Sequence, residues 1–263
     1  MRSKTPIAIA AALLGLSLAA AGCSSGSPSS GSDSSAGPTK TVTVFAAASM
    51  TKTFTELGKT FEASHAGTKV TFNFAGSQTL AEQITQGAQA DVFASANADN
   101  MKTVTDAKLN AAEPQNYATN KLEIAVPADN PAKIATFQDL AKKGVKVVVC
   151  APAVPCGAAT VKVEKATGVT LSPVSEEQAV TDVLAKVQTG EADAGLVYKT
   201  DVLSAGDSVK GIPFPEANEA VNKNSIVALK GGPQAALGQQ FVDLVLSSDG
   251  QKVLADAGFG PAQ

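Results

Sequence analysis

Short β-branched strands alternating with amphipathic helices predict an α/β fold with mostly parallel sheets for this chain of 263 residues. Three observations carry that expectation. In residues 41–50, Thr-Val-Thr-Val-Phe-Ala-Ala-Ala-Ser-Met, the residues Val42, Val44 and Phe45 read as a strand. Ser49 then stands before Met50, Phe54, Leu57 and Phe61, one stripe of a helix. The pattern recurs: residues 70–74 alternate as a strand, and Ser77 precedes a helix carrying Leu80 and Ile84. Finally, Gly87-Ala-Gln-Ala-Asp91-Val-Phe echoes Gly190-Glu-Ala-Asp193-Ala-Gly-Leu, each a helix end leading into a strand, as two similar lobes require.

Before the first strand, residues 1–22 have a basic start (Arg2, Lys4), an apolar run and then Gly22-Cys23, the three parts of a secretory signal. The apolar run is short for a membrane span, which needs about 18 residues or more. Ala20-Ala21-Gly22-Cys23 resembles a lipoprotein processing box with Cys23 as the lipidated residue, and the Ser, Gly and Pro of residues 23–39 form a flexible tether. Asp91 to Ala94 forms the next strand, and Met101, Val104 and Leu109 mark a helix. A strand from Leu122 stops at Pro127, Phe137 to Leu140 forms a short helix, and Val145 to Val149 a buried strand. The turn Cys150-Ala-Pro-Ala-Val-Pro-Cys156-Gly157 feeds another helix. Ser175-Glu-Glu-Gln178 reads as a capping box ahead of the stripe Val180, Val183, Leu184 and Val187. Gly195 to Tyr198 and Ser225 to Leu229 read as strands, and Leu237, Phe241, Leu244 and Val245 as one long helix.

Composition narrows the function. The chain has no Trp, two Tyr and one His, which leaves little for aromatic cages, haem or a histidine-rich metal site. Its only arginine is Arg2, so the folded part has no bidentate clamp for a carboxylate or phosphate. Removing Arg2 and Lys4 from 21 basic residues leaves 19 against 24 acidic ones, a net charge of −5 that disfavours nucleic acid. A strand, a tight turn and a helix N-terminus at Ser49 together make a site for an anion; Ser49 alone would read as a helix cap.

Taken in order, Val-Phe-Ala-Ala-Ala-Ser49, Phe74-Ala-Gly-Ser77-Gln-Thr-Leu, Ala90-Asp-Val-Phe-Ala-Ser95-Ala, Val154-Pro-Cys-Gly157 and Gly195-Leu-Val-Tyr198 resemble the substrate-binding protein of molybdate ABC transporters, over residues 41–259. The resemblance implies a type II periplasmic-binding-protein fold: two α/β lobes, residues 40–122 with 224–263 and residues 123–223, joined by two crossovers, with the oxyanion in the cleft. It implies hydroxyl ligands at Ser49, Ser77 and Tyr198 and backbone N–H ligands at Cys156 and Val180. Alanine is frequent in the family where Cys156 stands, and Gly76 and Gln78 replace serines. A tetrahedral dianion offers acceptors only, so a set of donors without a cation suits it.

The expected function is therefore capture of molybdate or tungstate by a monomeric lipoprotein on the outer face of the cell membrane, and delivery to an ABC permease. No cofactor and no metal cation are expected, the molybdenum being bound as its oxyanion. A receptor for sulfate, a secreted serine hydrolase acting through Ser49, and a structural surface lipoprotein are the alternatives. With Cys23 assigned to lipid, Cys150 and Cys156 remain as a pair in an oxidising compartment, and the Pro152 and Pro155 turn can bring them into a disulfide; two free thiols are the other reading.

Overall fold

The computed structural model describes residues 40–262; the expected leader, the Cys23 lipidation site and the whole tether lie outside them. The chain begins with β1 (Lys40–Ala47), a 3-10 turn (Ala48–Met50) and α1 (Thr51–Ser64), then β2 (Thr68–Ala75), α2 (Ser77–Thr85), β3 (Val92–Ser95), α3 (Ala98–Asp106) and β4 (Gln115–Asn120). It continues through β5 (Leu122–Pro127), β6 (Val147–Cys150), α4 (Pro155–Thr167), β7 (Ser175–Glu177), α5 (Val180–Gln188), β8 (Ala194–Tyr198), α6 (Lys199–Ala205) and β9 (Val209–Ile212). Finally come β10 (Asn222–Ala228), α7 (Ala235–Leu246) and α8 (Ser248–Asp256).

Two five-stranded sheets result, ordered β2-β1-β3-β10-β4 and β7-β6-β8-β5-β9. Each is built on a βαβαβ unit whose first strand lies between the second and third. In the first sheet β1 runs parallel to β2 and β3; in the second β6 runs parallel to β7 and β8. The expectation of mostly parallel sheets is corrected by the other pairings. β10 is antiparallel to β3 and β4, and β5 is antiparallel to β8 and β9. β10 and β5 each reach their sheet from outside its βαβαβ unit, so no crossover helix fixes them parallel.

The echo seen in the sequence has a physical basis. Asp91 bonds Thr43 in the middle of β1 twice, its N–H donating to Thr43 O and its Oδ2 accepting from Thr43 N, both 2.8 Å. Asp193 does the same with Lys146 ahead of β6, at 2.9 and 2.7 Å. In both lobes an aspartate thus ties the third strand of the unit to the first.

Both faces of the first sheet are buried, as alternation along β1 requires. Val42, Val44 and Ala46 pack with Phe54, Leu57, Phe61 and Phe241, while Phe45 faces Leu80, Ile84 and Phe93. The rings of Phe54 and Phe61 meet Phe241 edge-on at 5.9 and 5.6 Å, which fixes α1 against α7 and so orients the turn that carries Ser49. A separate core around Ile124, Phe137, Val148, Val163, Val183 and Leu196 holds the second sheet.

Three local expectations are revised. Ser175 starts a short strand instead of a capping box: its hydroxyl bonds Glu177, whose carboxylate also takes Lys186, and α5 starts later, behind Ala179. The C-terminal helix is two helices, broken at Ser247, whose Oγ accepts from Gly250 N at 3.2 Å and begins α8. Ser49 lies inside the 3-10 turn and caps nothing with its side chain.

Candidate functional site

All five residues singled out as donors stand at or just beyond the carboxyl ends of parallel strands: Ser49 after β1, Ser77 after β2, Cys156 after β6, Val180 after β7 and Tyr198 at the end of β8. That is where open α/β sheets place their ligands. The structure brings the five together around one cavity, with Ala47, Ala48, Ala75, Gly76, Ala96, Val154 and Pro155 completing the wall. Its free volume is about 10 Å³, far below the space an organic ligand occupies. No ionisable acid or base other than the Tyr198 phenol lines it.

The hydroxyls converge with their protons unspent. Ser49 Oγ is buried and has no hydrogen-bond partner. Ser77, fully buried, accepts from Ala96 N at 3.0 Å, which occupies a lone pair and leaves its own proton to donate. Tyr198 Oη accepts from Asn222 Nδ2 at 2.7 Å and is left in the same condition. Burial, reinforced by the neighbouring Asp201, pushes the Tyr198 phenol well above the usual tyrosine range, so it stays protonated.

The backbone donors come from helix starts. Val154 and Ala179, which precede α4 and α5, offer no side-chain cap, so the first-turn N–H groups of Cys156 and Val180 are left for another acceptor. Gly76 plays the same part ahead of α2. Three helix N-termini, from helices of 9, 13 and 9 residues, therefore supply positive potential to a cavity without a cation.

Contacts between the lobes hold this arrangement. Gln78 Nε2 donates to Gln178 O at 3.0 Å, and a Cβ on Gly76 would overlap that same carbonyl, so only glycine permits the approach. Asn120 Nδ2 donates to Thr200 Oγ1 at 2.8 Å at the crossover. Cys150 and Cys156 form a disulfide, with their Cα atoms 5.7 Å apart, that closes the loop entering α4. A side chain at Gly157 would run into Ala151 O, so the loop is packed against the helix start. Behind Tyr198 lies Asp201, whose Oδ2 accepts from Tyr198 N at 2.9 Å; burial pushes this carboxyl up to about 7 despite that bond.

A larger cavity of about 440 Å³ adjoins the small one through Ala48 and Ser49 and is lined by Lys52, Leu184, Asp201, Leu203 and Asp256 among others. Of the five donors it shares only Ser49, and the full donor set lines the small cavity. Asn222 is the functional candidate that sequence reasoning missed. A lone polar residue at the start of a strand carries no signal of its own, and its partners are distant in the chain.

Two lobes of this topology, with donors from both lining one small cavity, define a two-lobed solute-binding protein. The chain belongs to the bacterial extracellular solute-binding protein family, whose model matches residues 42–260. It is 52% identical over 216 residues to the molybdate-binding protein ModA of Mycobacterium tuberculosis, covering 82% of this chain and 83% of that one. Among solved structures, the periplasmic molybdate-binding protein of Azotobacter vinelandii superposes with a TM-score of 0.74 at 21% identity, over 84% of this chain and 100% of the other. The sulfate-binding protein SubI of Mycobacterium tuberculosis gives 0.72 at 18% identity, over 84% and 87%. These two structures share the fold.

Proposed function

We propose that the chain is an extracytoplasmic receptor that captures molybdate, and tungstate with it, and hands the anion to an ABC permease while Cys23 lipid holds it to the outer face of the membrane. The observation that carries this reading is the donor set: Ser49, Ser77 and Tyr198 hydroxyls with protons to give, and Cys156 and Val180 N–H groups, around a cavity without a charged side chain. A tetrahedral dianion is all acceptor and matches that set. The 52% identical mycobacterial relative named for molybdate binding supports the choice of anion. The strands β1 to β4 and β10 belong to one lobe and β5 to β9 to the other, so the lobe boundaries fall at Leu122 and Asn222 rather than one or two residues later. Each lobe contributes donors, so the anion favours their closure. The receptor acts as a monomer and needs no cofactor.

A serine hydrolase would need a base beside Ser49. His65 sits past the far end of α1, about 20 Å along a helix of 14 residues, with Nε2 held 2.9 Å from Gln240 Oε1. Titration calorimetry of the purified protein with sodium molybdate tests the proposal. One saturable site that a large excess of sulfate fails to empty is expected. No binding heat overturns the molybdate reading, and displacement by sulfate at equal concentration makes the protein a general oxyanion receptor.

A further inference from the structure

We infer that Asn222 is the positioning residue that holds Tyr198 as a pure hydrogen-bond donor, and that it does so only when the two lobes are closed. Asn222 is buried at the start of β10, and its Nδ2 lies 2.7 Å from Tyr198 Oη, 2.9 Å from Ala96 O and 3.3 Å from Pro155 O. Two of these three partners are backbone carbonyls, which can only accept, so the amide must present its NH2 to all of them. The orientation of the amide is thereby fixed, and with it the role of the phenol. Tyr198 Oη accepts a hydrogen bond from Asn222, and its own proton points elsewhere. Tyr198 Oη donates to no protein group among the described residues, and its side chain lines the cavity.

Ala96 links this bond to the other side of the site. Its carbonyl accepts from Asn222 while its N–H donates to Ser77 Oγ at 3.0 Å. One residue thus takes part in fixing both buried hydroxyls as donors. Asn222 and Ala96 belong to the first sheet's lobe, whereas Pro155 and Tyr198 belong to the second. Separation of the lobes would break the amide's bonds to Pro155 and Tyr198 and release the phenol. Closure and readiness to donate are one event.

A consequence follows for selectivity. With one lone pair of Tyr198 and one of Ser77 already engaged, each hydroxyl turns its proton to the ligand. This favours a fully deprotonated oxyanion over a protonated one such as hydrogen phosphate, whose O–H competes for the same positions. Asn222→Asp keeps the shape but can only accept. As a carboxylate it would accept the hydrogen bond of the Tyr198 O–H and leave Tyr198 Oη facing the cavity as an acceptor.

This role rests on the oxyanion reading of the cavity, and the experiment separates the two. Wild type, Asn222→Ala, Asn222→Asp, Tyr198→Phe and the Asn222→Ala/Tyr198→Phe double variant are titrated with sodium molybdate and with sodium hydrogen phosphate in mildly alkaline buffer, with thermal melts as folding controls. Asn222→Ala should bind molybdate roughly tenfold more weakly, the scale of one hydrogen bond to a charged group. In the Tyr198→Phe background it should add almost nothing, the signature of two residues acting as one unit. Asn222→Asp should lose more molybdate affinity than phosphate affinity, so that the ratio between them falls. Wild-type affinity in Asn222→Ala, or full losses that multiply in the double variant, would overturn the role. Should Asn222→Ala not fold, the affinity ratio of the isosteric Asn222→Asp decides alone. If wild type binds no molybdate, the functional reading fails but the Asn222–Tyr198 bond can still be tested. The chain has no Trp and two Tyr, so in a Tyr117→Phe background all its tyrosine emission comes from Tyr198. Asn222→Ala must then change that emission, and unchanged emission would overturn the bond itself.

Discussion

Around the cavity the helices begin behind residues that have no side-chain acceptor: Gly76 before α2, Val154 before α4 and Ala179 before α5. Elsewhere α3 and α8 carry side-chain caps, whereas α1 starts behind the uncapping Met50 as a continuation of the 3-10 turn. Asn97 accepts from Asn100 N at 3.1 Å to start α3, and Ser247 accepts from Gly250 N at 3.2 Å to start α8. At α7, which Gln234 does not cap with its side chain, the Gln234 N–H is taken by Asp91 Oδ1 at 2.6 Å. A side-chain cap is worth about 1 kcal/mol to a helix. The cavity-facing helices forgo it, and their first-turn N–H groups remain free to bind. The contrast shows where the fold gives up local stability to keep donors available.

The largest expected effect comes from supplying the missing cap. Ala179→Asp would offer a carboxylate to the first turn of α5, stabilising the helix start by about 1 kcal/mol. It would also set a negative charge beside the proposed dianion. Like charges about 4 Å apart at an effective dielectric of 20 repel by about 4 kcal/mol. A melting temperature at or above that of wild type, with molybdate affinity reduced at least ~100-fold in calorimetry, is the expected pair of results.

Next come the hydroxyls. Ser49→Ala and Ser77→Ala should each weaken molybdate binding roughly ten- to 150-fold, the range for hydrogen bonds to a charged group. Their stabilities should diverge. Ser49 Oγ bonds nothing in the protein, so its loss leaves the melting temperature unchanged. Ser77→Ala strips the Ala96 N–H of its acceptor and should cost about 1–3 kcal/mol of stability, read by denaturant titration.

These predictions differ in how visible their residues were in the sequence. Ser49, Ser77 and Tyr198 stood out because a hydroxyl at a strand end is a residue type, although Ser77 and Tyr198 became ligand candidates only through the family resemblance. Cys156 and Val180 were reached through the family resemblance, because a free backbone N–H leaves no mark in the residue that carries it. The mark lies one or two positions earlier, in the Val154 and Ala179 that cannot cap, and the Ser175 capping-box reading hid it at α5. Ser175 instead bonds Glu177, a pairing that depends on Lys186 from the next helix and so on tertiary structure. The alternation of strands and helices was readable, and so was the Asp91 and Asp193 echo. The antiparallel β5 and β10 were not, because their partners are set by crossovers between lobes. Asn222 was silent for the same reason, since it meets Ala96, Pro155 and Tyr198 only through that topology.

Reduction of the Cys150–Cys156 disulfide sharpens the contrast on the second lobe. Closing so short a loop stabilises the fold by about 2 kcal/mol on the chain-entropy model. The loop also aims the Cys156 N–H, so reductant should weaken molybdate binding proportionally more than it lowers the melting temperature. Equal sensitivity would make the disulfide a general brace.

Smaller effects follow away from the donors. Asp201 holds its proton up to about 7, whereas an unfolded aspartate releases it near 3.8. Between those values the native state binds more protons than the unfolded state, so stability should fall as pH rises through this window and level off above about 7. Asp201→Asn should flatten that part of the profile in thermal melts across the same range. Ser247→Ala removes a cap remote from the cavity. It should cost about 0.5–2 kcal/mol in denaturant titration and leave molybdate affinity unchanged.

The central claim is that one anion sits among the uncapped helix starts and the free hydroxyls. Crystals grown with sodium molybdate and measured at the molybdenum absorption edge test it most directly. A single strong anomalous peak is expected in the small cavity, the anion's oxygens within hydrogen-bond reach of Ser49 Oγ, Ser77 Oγ, Tyr198 Oη and the Cys156 and Val180 nitrogens. A peak elsewhere, in the larger cavity beside Lys52 for example, or no peak from protein saturated with molybdate, would contradict it.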